Sequence, residues 1–507
     1  MKALRSYRSL SMVFISTTVL LTVLGGLELV RADFEPPPPP KPHRRKAGES
    51  FPPLPLPVTP LRRTEKKRPP EPPALIGKLQ YGKRIWKTTK DGRRYSYFDW
   101  QGDTTDAYNL VREANRLLSI RYRWVYTTLK DFSFTPAELP ILYITGHQPF
   151  TFTDEQLHKL RWYLRDGGML VMSPCCGAAA FRNAAYTEMK RLFPHRPLRP
   201  VPPDHALYSC FYKIKKVRVR NTNEKYKEAD PPVRGITLGC RLAVVMYDAD
   251  VCCGWAGHEH PKGRRVQPHD ARKLGVNMIT YFLANYQLGK QQSVQKVYYQ
   301  KAEKTREEFI FPQIVHTGDW EPSPSAAMNL LKFLGKHSTM EVQFKRVAVD
   351  LRKVDAFKYP FLYMTGHEDF KFDDDEVRVL RSYLANGGIL LADACCGRGA
   401  FDTAFRREVK KVLPRNPLKP LSLNHPVYSS LVPVGKVRYT DWVREEHPKL
   451  TTPTLEGVTS GSVLCVIYSK YGLGSQWDGL QRPYAKSYSH QHAIRLGANI
   501  ITYAMTH

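Results

Sequence analysis

The chain predicts two tandem α/β domains with parallel sheets, set behind an export signal and a proline-rich spacer. Three observations lead there. One stretch is written twice, "ILYITGHQPFTFTDEQLHKLRWYLRDGGMLVMSPCCGAAAF" from Ile141 and "FLYMTGHEDFKFDDDEVRVLRSYLANGGILLADACCGRGAF" from Phe361. Within each copy, short apolar runs alternate with amphipathic helical patterns, which is the signature of strands joined by crossover helices. Ahead of both stands a basic, then apolar, then small-residue order typical of a secretory signal.

In chain order, Lys2, Arg5 and Arg8 precede an apolar run, and "VRAD" (Val30–Asp33) supplies a cleavage site after Ala32. Residues 1–32 are thus expected to be a signal peptide, or a single anchor if left uncleaved. The destination is the periplasm or the exterior, with membrane contact only through that segment. Residues 33–75 carry "DFEPPPPPKPHRRK" and "FPPLPLPVTPLRRTEKKRPPEPP", a composition that favours extended polyproline II and excludes a packed core. The chain has 507 residues and a formal charge of +30, and residues 33–90 hold 14 Lys/Arg against 5 Asp/Glu. Such a field suits an anionic envelope surface or polysaccharide. Export argues against nucleic acid.

The repeat domains are expected at 93–290 and 308–507. The histidines of the Thr-Gly-His turns, His147 and His367, stand 220 residues apart, as do Cys175 and Cys395. Thr153 with Gln156, and Asp373 with Glu376, have the spacing of a helix N-cap and its reciprocal partner. Leu157, Leu160 and Leu164, matched by Val377, Leu380 and Leu384, give the apolar stripe that follows. Gly167-Gly168 and Gly387-Gly388 stop those helices. A second strand, Cys-Cys-Gly and another helix come next. "LAVVMY" and "VLCVIY" read as a later strand, and "ARKLGVNMITYFL" and "AIRLGANIITYAM" as a closing helix.

In open parallel sheets ligands bind beyond the carboxyl ends of the strands. Four segments of each copy are expected at that rim: the Trp100 or Trp320 loop, the Thr-Gly-His turn, the Cys-Cys-Gly turn, and the loop bearing Trp255 or Trp477. A thiol at a strand-to-helix turn faces the positive end of the helix dipole, so Cys175 and Cys395 are candidate nucleophiles with His147 and His367 as bases. A disulfide or plain packing in a tight turn are the other readings of the cysteine pairs. His205 and His425, with Tyr208 and Tyr428 three residues on, are candidate ligand contacts, together with the four tryptophans. "CCGWAGHEH" (Cys252–His260) occurs in the first copy only, and Cys252, Cys253, His258 and His260 are its weak metal candidates. No second cluster at zinc-finger spacing follows, and no cofactor is expected. Phosphate-loop, serine-elbow and zincin motifs are also missing from the sequence.

"LYMTGH", "YLANGGILLADACCGRGAFDTAFRREVKKVLP", "NHPVYSS" and "RLGANIITYAMTH" resemble an uncharacterised bacterial family, domain of unknown function 4159. The first copy resembles it through "LYITGH", "YLRDGGMLVMSPCCGAAAF", "DHALYS" and "KLGVNMITY". That family is similar in pattern to the class I glutamine amidotransferase-like superfamily, ThuA-like proteins included. The resemblance implies flavodoxin-like domains, with Cys175 and Cys395 at the place of the amidotransferase elbow cysteine. The His-Pro-Glu segment of true amidotransferases has no counterpart: "HEHPK" and "LQRPY" stand there. The expectation is therefore an exported binding or scaffold module, with a cysteine-dependent hydrolase or transferase as the alternative.

Overall fold

The strand runs of each copy assemble into a seven-stranded sheet. The structure, a computed structural model, describes residues 71–259, 262–294, 309–353, 355–460 and 463–507. The expected export signal, nearly all of the expected spacer and His260 lie outside them. In the first copy the strand order across the sheet is Arg123–Thr127, Ala74–Leu79, Ile141–Gly146, Met169–Pro174, Arg241–Tyr247, Val233–Leu238, Arg199–Pro200. The second copy repeats it with Val342–Val349, Phe309–Ile314, Phe361–Gly366, Ile389–Ala394, Val463–Ser469, Leu455–Ser460 and Lys419–Pro420.

Five strands of each sheet are parallel, and their sequence order across the sheet is 2-1-3-4-5. The wholly parallel sheet expected from the sequence needs one correction. Val233–Leu238 runs antiparallel to Arg241–Tyr247, and Arg199–Pro200 antiparallel to it in turn. Only Gly239 and Cys240 join the first two, and so short a link can make a hairpin but never a crossover. Gly239 turns it with φ of 59°. The first domain also begins earlier than expected, because Ala74–Leu79 is the strand about which the chain order reverses.

The capping boxes form as written. Thr153 and Gln156 exchange hydrogen bonds at the start of Asp154–Arg165, and Asp373 and Glu376 do so before Asp374–Ala385. Their apolar stripes cover one face of each sheet, with Leu157, Leu160 and Phe181 in one copy and Leu380, Leu384 and Phe401 in the other. Pro268–Val294 and His490–Thr506 close the opposite faces, packing Leu274 and Leu496 beneath Trp255 and Trp477. Among the described residues, no helix is long and apolar enough to cross a membrane.

The two copies meet head to tail within one compact unit. The Gly239-Cys240 turn lies at the amino-terminal edge of the first sheet's parallel strands, and it reaches the carboxyl-terminal edge of the second. Arg199 pairs with Glu368 at 3.0 Å, and Asp204 accepts from the Gly399 amide at 3.0 Å.

Candidate functional site

Register decides what the strand ends share. Gly146 is paired with Pro174 and Gly366 with Ala394, so each Thr-Gly-His turn leaves the sheet beside a Cys-Cys-Gly turn. The turns are sharp. Cys176 and Cys396 adopt left-handed backbone (φ 54° and 53°), and the glycines after them do the same (φ 68° and 64°). A Cβ on Gly177 would lie 2.4 Å from the Arg264 carbonyl oxygen, so glycine is required there. The strained residue is the second cysteine of each pair, a position favoured at functional elbows.

In the first copy four loops converge. Cys175 and Cys176 have sulfurs 3.8 Å apart, and Cys175 Sγ stands 3.5 Å from Asp103 Oδ2. Cys252 and Cys253 enter at the start of the short helix Cys252–Ala256, which Asp250 caps through the Cys253 amide at 3.1 Å. Ligand atoms of Asp103, Cys175, Cys252 and Cys253 all lie within 4.8 Å of one another, and so do those of His147, Cys175 and Cys176. Burial pushes the Asp103 carboxyl up to about 7, and His258 Nε2 approaches its Oδ1 at 2.7 Å. The hydrogen bond to Asp99 (Nδ1 to Oδ1, 3.1 Å) is the largest influence raising His147 to about 10. Asp99 also accepts from the His147 and Gln148 amides at 2.6 and 2.7 Å.

The second copy brings a different set together. His367 Nδ1 is 2.6 Å from Asp319 Oδ2, the counterpart of Asp99. Cys395 and Cys396 have sulfurs 3.9 Å apart, and Cys240, from the first copy, places its sulfur 3.8 Å from that of Cys395. No disulfide links any of the nine cysteines, all of which are among the described residues.

A family model described as a domain of unknown function (DUF4159) matches residues 88–283 and again residues 310–505. The chain belongs to the DUF4159 family. No curated protein matches it.

Within the two DUF4159 copies the remaining candidates lie outside the thiol clusters, with His205 lining one cavity together with Cys240 and His367. Trp255 and Trp477 are core residues, not rim residues: each donates its indole N–H to the closing helix, at Ala271 O (2.8 Å) and Ala493 O (3.0 Å). His205 and His425 cap short helical turns, accepting from the Leu207 and Val427 amides. Tyr208 and Tyr428 are buried beneath those turns. Trp100 packs edge-on against Tyr126, and Trp320 lies under the Arg346 guanidinium. In that loop Asp103 reaches the site in the first copy, and in both copies so does the residue before each tryptophan, Asp99 or Asp319. Its signal was available, since an acid stands immediately before both tryptophans.

One DUF4159 histidine outside the clusters sets an acid response. His316 Nε2 donates to Thr365 O at 2.9 Å while Nδ1 accepts from the Gly318 amide at 3.1 Å, which leaves no place for a second proton. Burial lowers it to about 4. Between roughly pH 6.5 and pH 4 the unfolded chain binds a proton that the native chain refuses, so stability falls as pH drops, by up to about 3 kcal/mol. Urea unfolding across that range should show a flatter pH profile for His316→Asn.

Proposed function

We propose that this protein is an exported two-copy binding module whose first copy holds a thiophilic transition-metal ion, best matched by zinc, through Cys175, Cys252, Cys253 and Asp103. The observation that carries it is the convergence of these four ligand atoms, from three separate loops, within 4.8 Å of one another. Sulfur is the ligand of choice for such ions. Cys176 and His147 stand next to the set, and the His147 side chain is 37% exposed. The four ligands are all buried and would fill a tetrahedral shell, so the ion would order the rim while His147 offers the surface that a ligand or partner reaches from solvent. The loops follow strands 1, 3, 4 and 5, and the order 2-1-3-4-5 puts them at the switch point where open α/β sheets bind ligands. That order supports the flavodoxin-like, amidotransferase-like reading of the domains.

A second reading has one observation in its favour. Cys176, left-handed at a strand-to-helix elbow, stands beside a histidine that an aspartate orients, the arrangement of a cysteine hydrolase.

One experiment separates the two. Protein exported to the periplasm, beginning at Asp33 and purified without chelator, should carry zinc that Cys252→Ser/Cys253→Ser reduces by one equivalent. Cys175, Cys252 and Cys253 should then resist iodoacetamide near pH 6 until the metal is stripped. An unchanged metal content in that variant, with rapid labelling of Cys176 in untreated protein, would transfer the conclusion to cysteine chemistry.

A further inference from the structure

We infer that a second metal site, closed and structural, joins the two copies, with Cys240 of the first copy and His367, Cys395 and Cys396 of the second as its four ligands. All four ligand atoms lie within 4.8 Å of one another, and all four residues are buried. A tetrahedral zinc ion with bonds of ~2.3 Å to sulfur has sulfur–sulfur edges of ~3.8 Å. The Cys240–Cys395 and Cys395–Cys396 separations are 3.8 and 3.9 Å. A disulfide needs sulfurs at ~2.05 Å, so these thiols are spaced for a shared ion rather than for a bond.

The histidine supplies the independent observation. His367 Nε2 is buried and has no hydrogen-bond partner, while Nδ1 is held at 2.6 Å by Asp319. A buried polar atom left bare is costly. Here the carboxylate fixes the tautomer that leaves the Nε2 lone pair available, the usual support of a metal-bound imidazole. On binding, the three thiols would release their protons to solvent and leave a site of net charge −1. Arg482, 2% exposed and paired with Asp478, faces that charge and donates from Nε to Cys240 Sγ at 3.1 Å. Cys240 and His367 also line a cavity of about 330 Å³ between the copies, which gives an ion its path in.

The sequences of the two copies explain why the sites differ. By alignment on Trp255 and Trp477, the second copy has Gly474 and Ser475 where the first has Cys252 and Cys253. The first cluster takes its extra thiols from its own copy. The second lacks those and takes one from the hairpin tip of its neighbour.

The test uses the full chain carrying Cys252→Ser/Cys253→Ser, in which the first site is removed. It should retain one zinc per chain. Reconstitution with cobalt(II) should give thiolate-to-cobalt charge-transfer and tetrahedral d–d bands. Adding Cys240→Ala should abolish that equivalent, Cys240→His should restore it, and Asp319→Asn should weaken it by about 10- to 100-fold. In the otherwise unaltered chain, Cys240→Ala should cost one equivalent while the first site keeps its own, so the two sites can fail separately. The inference is overturned if Cys240→Ala leaves metal content unchanged, if the double-serine chain shows native circular dichroism yet binds no zinc or cobalt, or if non-reducing peptide mapping finds Cys240 and Cys395 joined as a disulfide.

Discussion

Replacing Lys78 with methionine is expected to destabilise the protein by about 3–5 kcal/mol, the usual effect of removing one partner from a buried ion pair. Lys78 Nζ and Asp106 Oδ1 are 2.7 Å apart, and both side chains are wholly buried. Burial already pushes the Asp106 carboxyl up to about 6, against the pull of Lys78. Tyr143 adds a hydroxyl donor at 2.9 Å, too little to carry the charge alone. Lys78 also donates to the Asp103 carbonyl, so the change reaches the proposed metal site through the backbone of one of its ligands. Lys78→Met/Asp106→Leu should recover most of the loss, because a pair replaced by apolar groups leaves no orphaned charge. Chemical denaturation of the three proteins checks the cycle, and a double variant as unstable as the single one would contradict it.

Asp393→Ala should cost at least about 3 kcal/mol, since three buried donors lose their acceptor together and each costs about 1–3 kcal/mol when left bare. Asp393 accepts from Tyr363 Oη at 2.5 Å, the Leu473 amide at 2.8 Å and the Gly474 amide at 3.2 Å. Asp393→Asn retains one acceptor oxygen and should lose about half as much. The first copy has Ser173 at this register position, and its buried carboxylate comes instead from Asp106, with Tyr143 donating as Tyr363 does. Thermal unfolding of the alanine and asparagine variants gives the comparison.

Much of the fold could be read from local chemistry. Capping boxes, Gly-Gly stops and apolar periodicity depend on neighbours within a few residues, and the helices at 154–165 and 374–385 follow from them. The antiparallel edge was also legible in principle, because a two-residue link admits only a hairpin. The clusters were harder. Spacing rules for metal ligands assume that the ligands come from one short segment, whereas Asp103, Cys175 and Cys252 arrive on separate crossovers. Cys240 had no local signal at all. Nothing near it in the chain is a ligand, and its partners lie about 130 to 155 residues further on, in the other copy, at positions only a folded sheet brings near. The tryptophans misled for two reasons: Trp255 and Trp477 are large enough to be drawn into the core, and in the Trp100 and Trp320 loop it is the smaller acid before the ring that turns inward.

The head-to-tail joint carries an asymmetry with a consequence for assembly. A contact of this kind, repeated from molecule to molecule, builds a ring where its rotation closes and an open filament where it does not. Here the donor turn of the first copy ends in cysteine, whereas the sequence of the second copy has Gly461-Ser462 at the aligned positions. The second copy therefore offers no thiol with which the same joint could be repeated from one molecule to the next.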